Sequence, residues 1–149
     1  MEVAIFRHGH SLSVSESGAA VDFDRILSER GMDEVKKSAI NLKNEEFLPK
    51  IIFSSPIKRA VETAKIIGDI LDIKDVVITD VLKPSNDINK IIDLIKSEDH
   101  NTVVVSHIPF VDDLLYGLSG TRFSFTTGSY VRVSINGEKD VKIVSKYTP

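Results

Sequence analysis

The chain has 149 residues, 42% of them hydrophobic and 28% charged, which fits a single soluble domain over 1–149 with a sizeable core. A formal net charge of −3 leaves no basic footprint for nucleic acid, and no apolar run is long enough to cross a membrane. With no cysteine there is no disulfide, no thiolate metal site and no cysteine nucleophile, and the N-terminal strand pattern carrying Glu2 is unlike a signal peptide, so the cytoplasm is the expected compartment.

Val3 to Phe6 is a short apolar run that predicts a buried strand, followed by Arg7, His8 and Gly9. Gly9 is expected to let the chain turn tightly and bring its backbone close to a ligand. His10 to Phe23, rich in Ser, Gly and acidic residues, predicts a loop. Ser28 precedes a helical pattern with Met32, Val35, Ala39 and Leu42 on one face. Ile51 to Phe53 predicts a second buried strand. Ser55 is expected as N-cap and Pro56 at the first position of a helix that runs to about Leu71. Val76 to Thr79 predicts a third strand, and Lys83-Pro84-Ser85-Asn86 a turn. Ile88, Ile91, Ile92 and Ile95 mark an amphipathic helix. Thr102 to Ser106 is apolar enough for a central parallel strand covered on both faces. Pro109 opens a helix with Val111, Leu114, Leu115 and Leu118 inward. Tyr130 to Ile135, Asn136-Gly137 and Val141 to Val144 form a hairpin pattern. This alternation predicts an α/β fold: a three-layer α/β/α sandwich with a mostly parallel central sheet and an antiparallel edge hairpin.

Three strand ends carry chemistry. They are Arg7-His8-Gly9, then Ser54-Ser55-Pro56 with Arg59 just beyond, and Ser106-His107-Ile108-Pro109. In a parallel sheet all three share one edge, which is where open α/β sheets bind ligands. Arginine grips phosphate with paired N–H groups, and histidine can serve as base, acid or nucleophile. Helix N-termini at the second and third ends also favour anions. No acidic cluster stands among them to hold a metal, so the edge reads as a metal-free pocket for a phosphoryl dianion. Plainer readings are a surface pair between Arg59 and Glu62, a core role for His107, and loop positions for His10 and His100.

These stretches resemble the histidine phosphatase superfamily, with its phosphoglycerate-mutase-like fold, and within it the short SixA-type phosphohistidine phosphatases. The resemblance runs through Val3 to Gly9, Leu27-Ser28-Glu29-Arg30-Gly31, Phe53 to Ala60 with Glu62-Thr63-Ala64, Val104 to Pro109, and Phe125-Thr126-Thr127. It implies a cofactor-independent phosphatase with His8 as nucleophile. Arg7, Arg59 and His107 would hold the phosphoryl oxygens, together with the N–H groups after His107. Gly9, Ser11 and Ile108 would border the substrate. Larger members carry a lid insertion and a glutamate acid after the third strand. Here only a short stretch stands there, with Asp80 and Asp87 as the carboxylates that could serve as the acid. An open site favours a phosphorylated protein, in particular protein phosphohistidine, over a small phosphorylated metabolite such as a sugar phosphate. A non-catalytic phosphate-binding module is a third reading, disfavoured by the full set of two arginines and two histidines.

Overall fold

Val3, Ala4, Ile5 and Phe6 are wholly buried because β1 (Glu2–Arg7) has a strand on each side and helices over each face. The computed structural model describes residues 1–84 and 87–149, so the Ser85-Asn86 half of the expected turn lies outside the described residues. After β1 come α1 (Glu29–Asn44), β2 (Ile51–Ser54), α2 (Lys58–Leu71), β3 (Val76–Ile78) and α3 (Ile88–Lys96). They are followed by β4 (Thr102–Ser106), α4 (Phe110–Ser119), β5 (Tyr130–Ile135) and β6 (Val141–Tyr147).

The sheet order is β3-β2-β4-β1-β5-β6. Strands β1 to β4 are mutually parallel, with Val3 opposite Thr102 and Arg7 opposite Ser106 in the central pair. The β5–β6 hairpin adds the antiparallel edge, with Phe6 opposite Tyr130. Alternation along each strand divides the core in two. Val3, Ile5, Phe53 and Val104 pack with α3 and α4 through Ile91, Ile95, Val111, Leu114 and Leu115. Ala4, Phe6, Ile52, Val103 and Val105 pack with α1 and α2 through Val35, Ala39, Leu42, Ala60, Ala64 and Ile67. Burying each larger aliphatic side chain contributes about 1.5–3 kcal/mol, so the strands that carry the site's residues rest on the best-covered part of the molecule. No helix among the described residues is long and apolar enough to cross a membrane.

The fold matches the predicted layers, and four local expectations need correction. Ser55 is not the N-cap of α2 and Pro56 is not its first residue. The Ser55 N–H donates to the Val105 carbonyl at 2.9 Å, which keeps the chain extended past β2 and delays the helix until Lys58. Ile57 occupies the cap position, and no side chain caps this helix. Met32 lies on the outer side of α1, 37% exposed. Thr79 falls just outside β3, although its N–H still bonds the Ser54 carbonyl at 2.9 Å.

Candidate active site

The backbone around His8 is held from both neighbouring strands. The His8 N–H donates to the Ser106 carbonyl at 3.0 Å, and the Arg7 N–H donates to the Ser129 carbonyl at 3.1 Å. The Gly128 N–H bonds the His8 carbonyl at 3.0 Å. Gly9 does not play the expected part. Its N–H donates to Thr63 Oγ1 at 3.1 Å, so it is not presented to a ligand. Glycine is required there because a Cβ would meet the Gly31 carbonyl oxygen at 2.7 Å and Val35 Cγ2 at 2.8 Å. The loop after β1 thus lies directly on the first turn of α1, whose N-cap Ser28 accepts the Gly31 N–H.

The partners of His8 fix its tautomer. Nδ1 lies 2.7 Å from the Gly9 carbonyl oxygen, which can only accept, so Nδ1 carries the proton. Nε2 accepts from Arg59 Nε at 3.2 Å, so it keeps its lone pair. The pKa is pushed down to about 3, first by burial and then by the positive fields of Arg59, His107 and Arg7, with the Gly9 carbonyl opposing. The ring is therefore neutral across the physiological range.

Arg59 is 9% exposed, and it pairs with Asp22 rather than Glu62. Its Nη1 donates to the Asp22 carbonyl at 3.0 Å and its Nη2 to Asp22 Oδ2 at 3.2 Å. Glu62 instead accepts the Leu27 N–H at 2.9 Å. A carboxylate does therefore enter this cationic edge, although no group of three or more His, Cys, Asp and Glu among the described residues is placed to hold a metal. Arg7 Nη1 donates to the Phe125 carbonyl at 2.9 Å, while its Nε is buried with no partner among the described residues. His107 stands edge-on to His8, ring centres 6.2 Å apart, and both its ring nitrogens are also buried and unpartnered. Burial and Arg59 push the His107 pKa down to about 4. The Leu82 carbonyl beside the ring opposes this shift, and it also accepts from Ser106 Oγ at 2.9 Å. Each unpaired buried polar group costs about 1–3 kcal/mol. Arg7 Nε–H and the one N–H of the neutral His107 ring are the donors at this edge that a ligand rich in oxygens can accept.

Over these groups opens a cleft of about 290 Å³, lined by Arg7, His8, His10, Ser11, Arg25, Arg59, Ile108 and Thr127. Ser11 borders it, its Oγ accepting from Arg25 Nη2 at 2.9 Å. Ile108 borders it too, 48% exposed. Backbone amides after His107 are fewer than expected, because Pro109 has none. Neither candidate acid lines the cleft. Asp87 is the N-cap of α3, accepting the Asn89 N–H at 3.0 Å. Asp80 sits in a 3₁₀ turn on the same sheet edge, 3.5 Å from Lys83 Nζ. Sequence reasoning missed Asp22, Arg25, Thr63 and Thr127, which reach the site from loops and a helix flank. It also set aside His10, which lines the cleft.

This arrangement finds its counterparts among known proteins. Residues 3–84 match the model of the histidine phosphatase superfamily (branch 1), and the chain belongs to that superfamily. The 2,3-bisphosphoglycerate-dependent phosphoglycerate mutase of Thermoplasma acidophilum is 41% identical over 80 residues, which cover 52% of this chain and 38% of the mutase. The chain thus spans well under half the length of that relative. The phosphohistidine phosphatase SixA of Escherichia coli is 29% identical over 143 residues, covering 91% of this chain and 86% of SixA. The structure of the protein histidine phosphatase SixA complexed with tungstate superposes with a TM-score of 0.87 at 26% identity, covering 99% of this chain and 97% of that one.

Proposed function

We propose that this chain is a metal-independent phosphatase of the cytoplasm that works through a phosphohistidine on His8 and acts on protein phosphohistidine. The observation that carries the reading is the His8 ring, whose Nδ1–H is tied to the Gly9 carbonyl and whose Nε2 lone pair faces Arg59. A neutral imidazole on a rigid strand end is a ready nucleophile. On binding, the phosphoryl dianion draws Arg59 Nε–H from Nε2 to a phosphoryl oxygen. Arg7 Nε–H, which has no hydrogen-bond partner among the described residues, and the His107 N–H take further oxygens. Nε2 then attacks phosphorus, the P–N bond forms and the bond to the leaving group breaks. Water attacks the phosphoryl-imidazole, phosphate departs and Nε2 regains its lone pair. The arginines stabilise charge spread over the transferring group.

Protein phosphohistidine is favoured by the nearly full-length similarity to SixA and by the open rim. Val21 and Phe23, beside Asp22, are exposed, as is Ile108 at the cleft mouth. The tungstate in the similar SixA structure is a tetrahedral oxyanion of phosphate-like shape, the kind of group the unpaired nitrogens here would hold. A small-molecule phosphomonoesterase is the second reading. It is favoured by the 41% local identity to a mutase and by a cleft that lies at the small end of ligand sites, which run ~300–1,000 Å³.

The test is rapid quenching into base with labelled substrate, in excess EDTA. A phosphoramidate survives alkali, so label should remain on the peptide carrying His8, and His8→Ala should trap none. Label on Ser11, Ser106 or His107, or loss of turnover in EDTA that a divalent ion restores, would overturn the mechanism. A sugar phosphate that outpaces phosphohistidine protein by orders of magnitude in kcat/KM would install the second reading.

A further inference from the structure

We infer that His10 is the proton-transfer residue of this site, giving a proton to the leaving group in the first step and taking one from water in the second. The inference rests on the phosphatase reading above and adds to it the acid that the sequence left open between Asp80 and Asp87.

Three observations carry it. His10 lines the cleft beside His8, Arg7 and Arg59. Its position is held by the backbone, with its N–H donating to Glu34 Oε1 at 3.0 Å and its carbonyl accepting the Ser28 N–H at 3.0 Å. Its ring is anchored through Nδ1, 2.7 Å from Ser28 Oγ, which leaves Nε2 as the ring nitrogen available to a ligand.

Ser28 is suited to either protonation state of the ring. Its Oγ accepts the Gly31 N–H at 3.0 Å and also lies 3.2 Å from the His10 carbonyl oxygen. When His10 is an imidazolium, Nδ1–H donates to Oγ, and the hydroxyl hydrogen turns to the His10 carbonyl. When His10 is neutral after giving up its Nε2 proton, Nδ1–H keeps the same bond to Oγ, and Nε2 carries the lone pair that can take a proton from water. The bonds between Ser28 and the ring are thus the same before and after the proton leaves Nε2.

The carboxylates are worse placed. Asp22 reaches the site, but its hydrogen bonds to Arg25 and Arg59 hold its carboxyl below the usual range, so it is a poor acid. Asp87 is spent on a helix cap and Asp80 pairs with Lys83. An imidazole nitrogen can both give and take a proton, which is the demand on a group that serves both steps. The charged groups around His10 are Glu16 from its own loop, Glu34 from α1, and Arg7, Arg25, Arg59 and His8 across the cleft.

The balance is simple. In the first step Nε2 of His8 displaces the leaving group from phosphorus while imidazolium His10 delivers its Nε2 proton to the departing atom. In the second step neutral His10 takes a proton from water as the oxygen attacks phosphorus and His8 leaves. His10 ends as it began.

The experiment compares an alkyl phosphate, whose alkoxide needs a proton to depart, with p-nitrophenyl phosphate, whose phenolate needs little. His10→Gln should lose roughly 10²–10⁴-fold in kcat with the alkyl phosphate and far less with p-nitrophenyl phosphate. Because both rates come from one preparation, their ratio is insensitive to any misfolded fraction. An equal loss on both substrates would show that His10 only holds the loop, and no loss on either would remove it from the reaction. Wild-type protein inert towards every phosphate ester and phosphohistidine would sink the phosphatase reading itself, a result distinct from either.

Discussion

Arg59 has three obligations in the site: one N–H to the His8 lone pair and two to Asp22. The same side chain covers the His8 lone pair and, in the proposed reaction, would be a donor to the phosphoryl group. Arg59→Ala or Arg7→Ala is expected to lower kcat by about 10²–10³-fold, the loss typical of removing one electrostatic donor, about 2.7–4 kcal/mol. Arg59→Lys should recover little, because an ammonium cannot reproduce a planar fork that spans an imidazole nitrogen and a carboxylate. Single-turnover rates with p-nitrophenyl phosphate measure this, and near-normal rates in either alanine variant would remove that arginine from the site. Arg7, His8, Arg59 and His107 were legible in the sequence because each stands within a few residues of an apolar strand. Strand ends are local features, and parallel pairing brings them to one edge. Asp22 and Arg25 were not legible. They lie in or beside a loop without periodicity, and only the folded chain shows Arg25 bonded to Ser11, Leu12 and Asp22 at once.

At the scale of elements, the contact between the loop after β1 and the start of α1 sets the cleft wall. A Cβ on Gly31 would stand 1.9 Å from the His10 carbonyl oxygen, a backbone atom that no rotamer change can move aside. Helix propensity alone would favour Gly31→Ala by up to about 1 kcal/mol. The clash outweighs it, since even overpacking against side chains costs about 1–3 kcal/mol. Gly31→Ala should therefore lower the urea midpoint by several tenths of a molar or more, and slow turnover by shifting His10. A midpoint equal to or above wild type would contradict the contact. The sequence announced this helix through Ser28 and its apolar period but assigned Gly9 to ligand approach. Pairwise glycine packing across a loop and a helix leaves no trace in periodicity. The start of α2 was misplaced for a related reason. Ser-Ser-Pro has good cap chemistry, but pairing of Ser55 with β4 prevails over it.

For the molecule as a whole, the site imposes a pH dependence on stability. His8 and His107 fall from the usual 6.5 to about 3 and about 4 on folding. Between those values and 6.5 the unfolded chain binds protons that the folded chain does not, so unfolding gains as pH falls. The stability these two rings contribute is complete above 6.5 and is lost as pH drops through 4 towards 3. At ~1.4 kcal/mol per unit the pair accounts for several kcal/mol, a large part of a typical ~5–15 kcal/mol. Urea melts from pH 7 to pH 4 should show a falling midpoint, and a His8→Gln, His107→Gln double variant should flatten the slope. An unchanged slope in that variant would assign the acid sensitivity to other groups.

The central place of β1 also has a consequence in time. Its two partners, β4 and β5, both follow it in the chain, and β4 begins only at Thr102. During synthesis at ~5–20 residues per second, the about 95 residues from Arg7 to Thr102 take on the order of 5–20 s. Through that interval Val3 to Phe6 lacks both of its native neighbours, although α1 and α2, which pack on one face of β1, precede β4 in the chain. The backbone bonds that hold Arg7 and His8, to Ser129 and Ser106, can form only after those later segments have emerged.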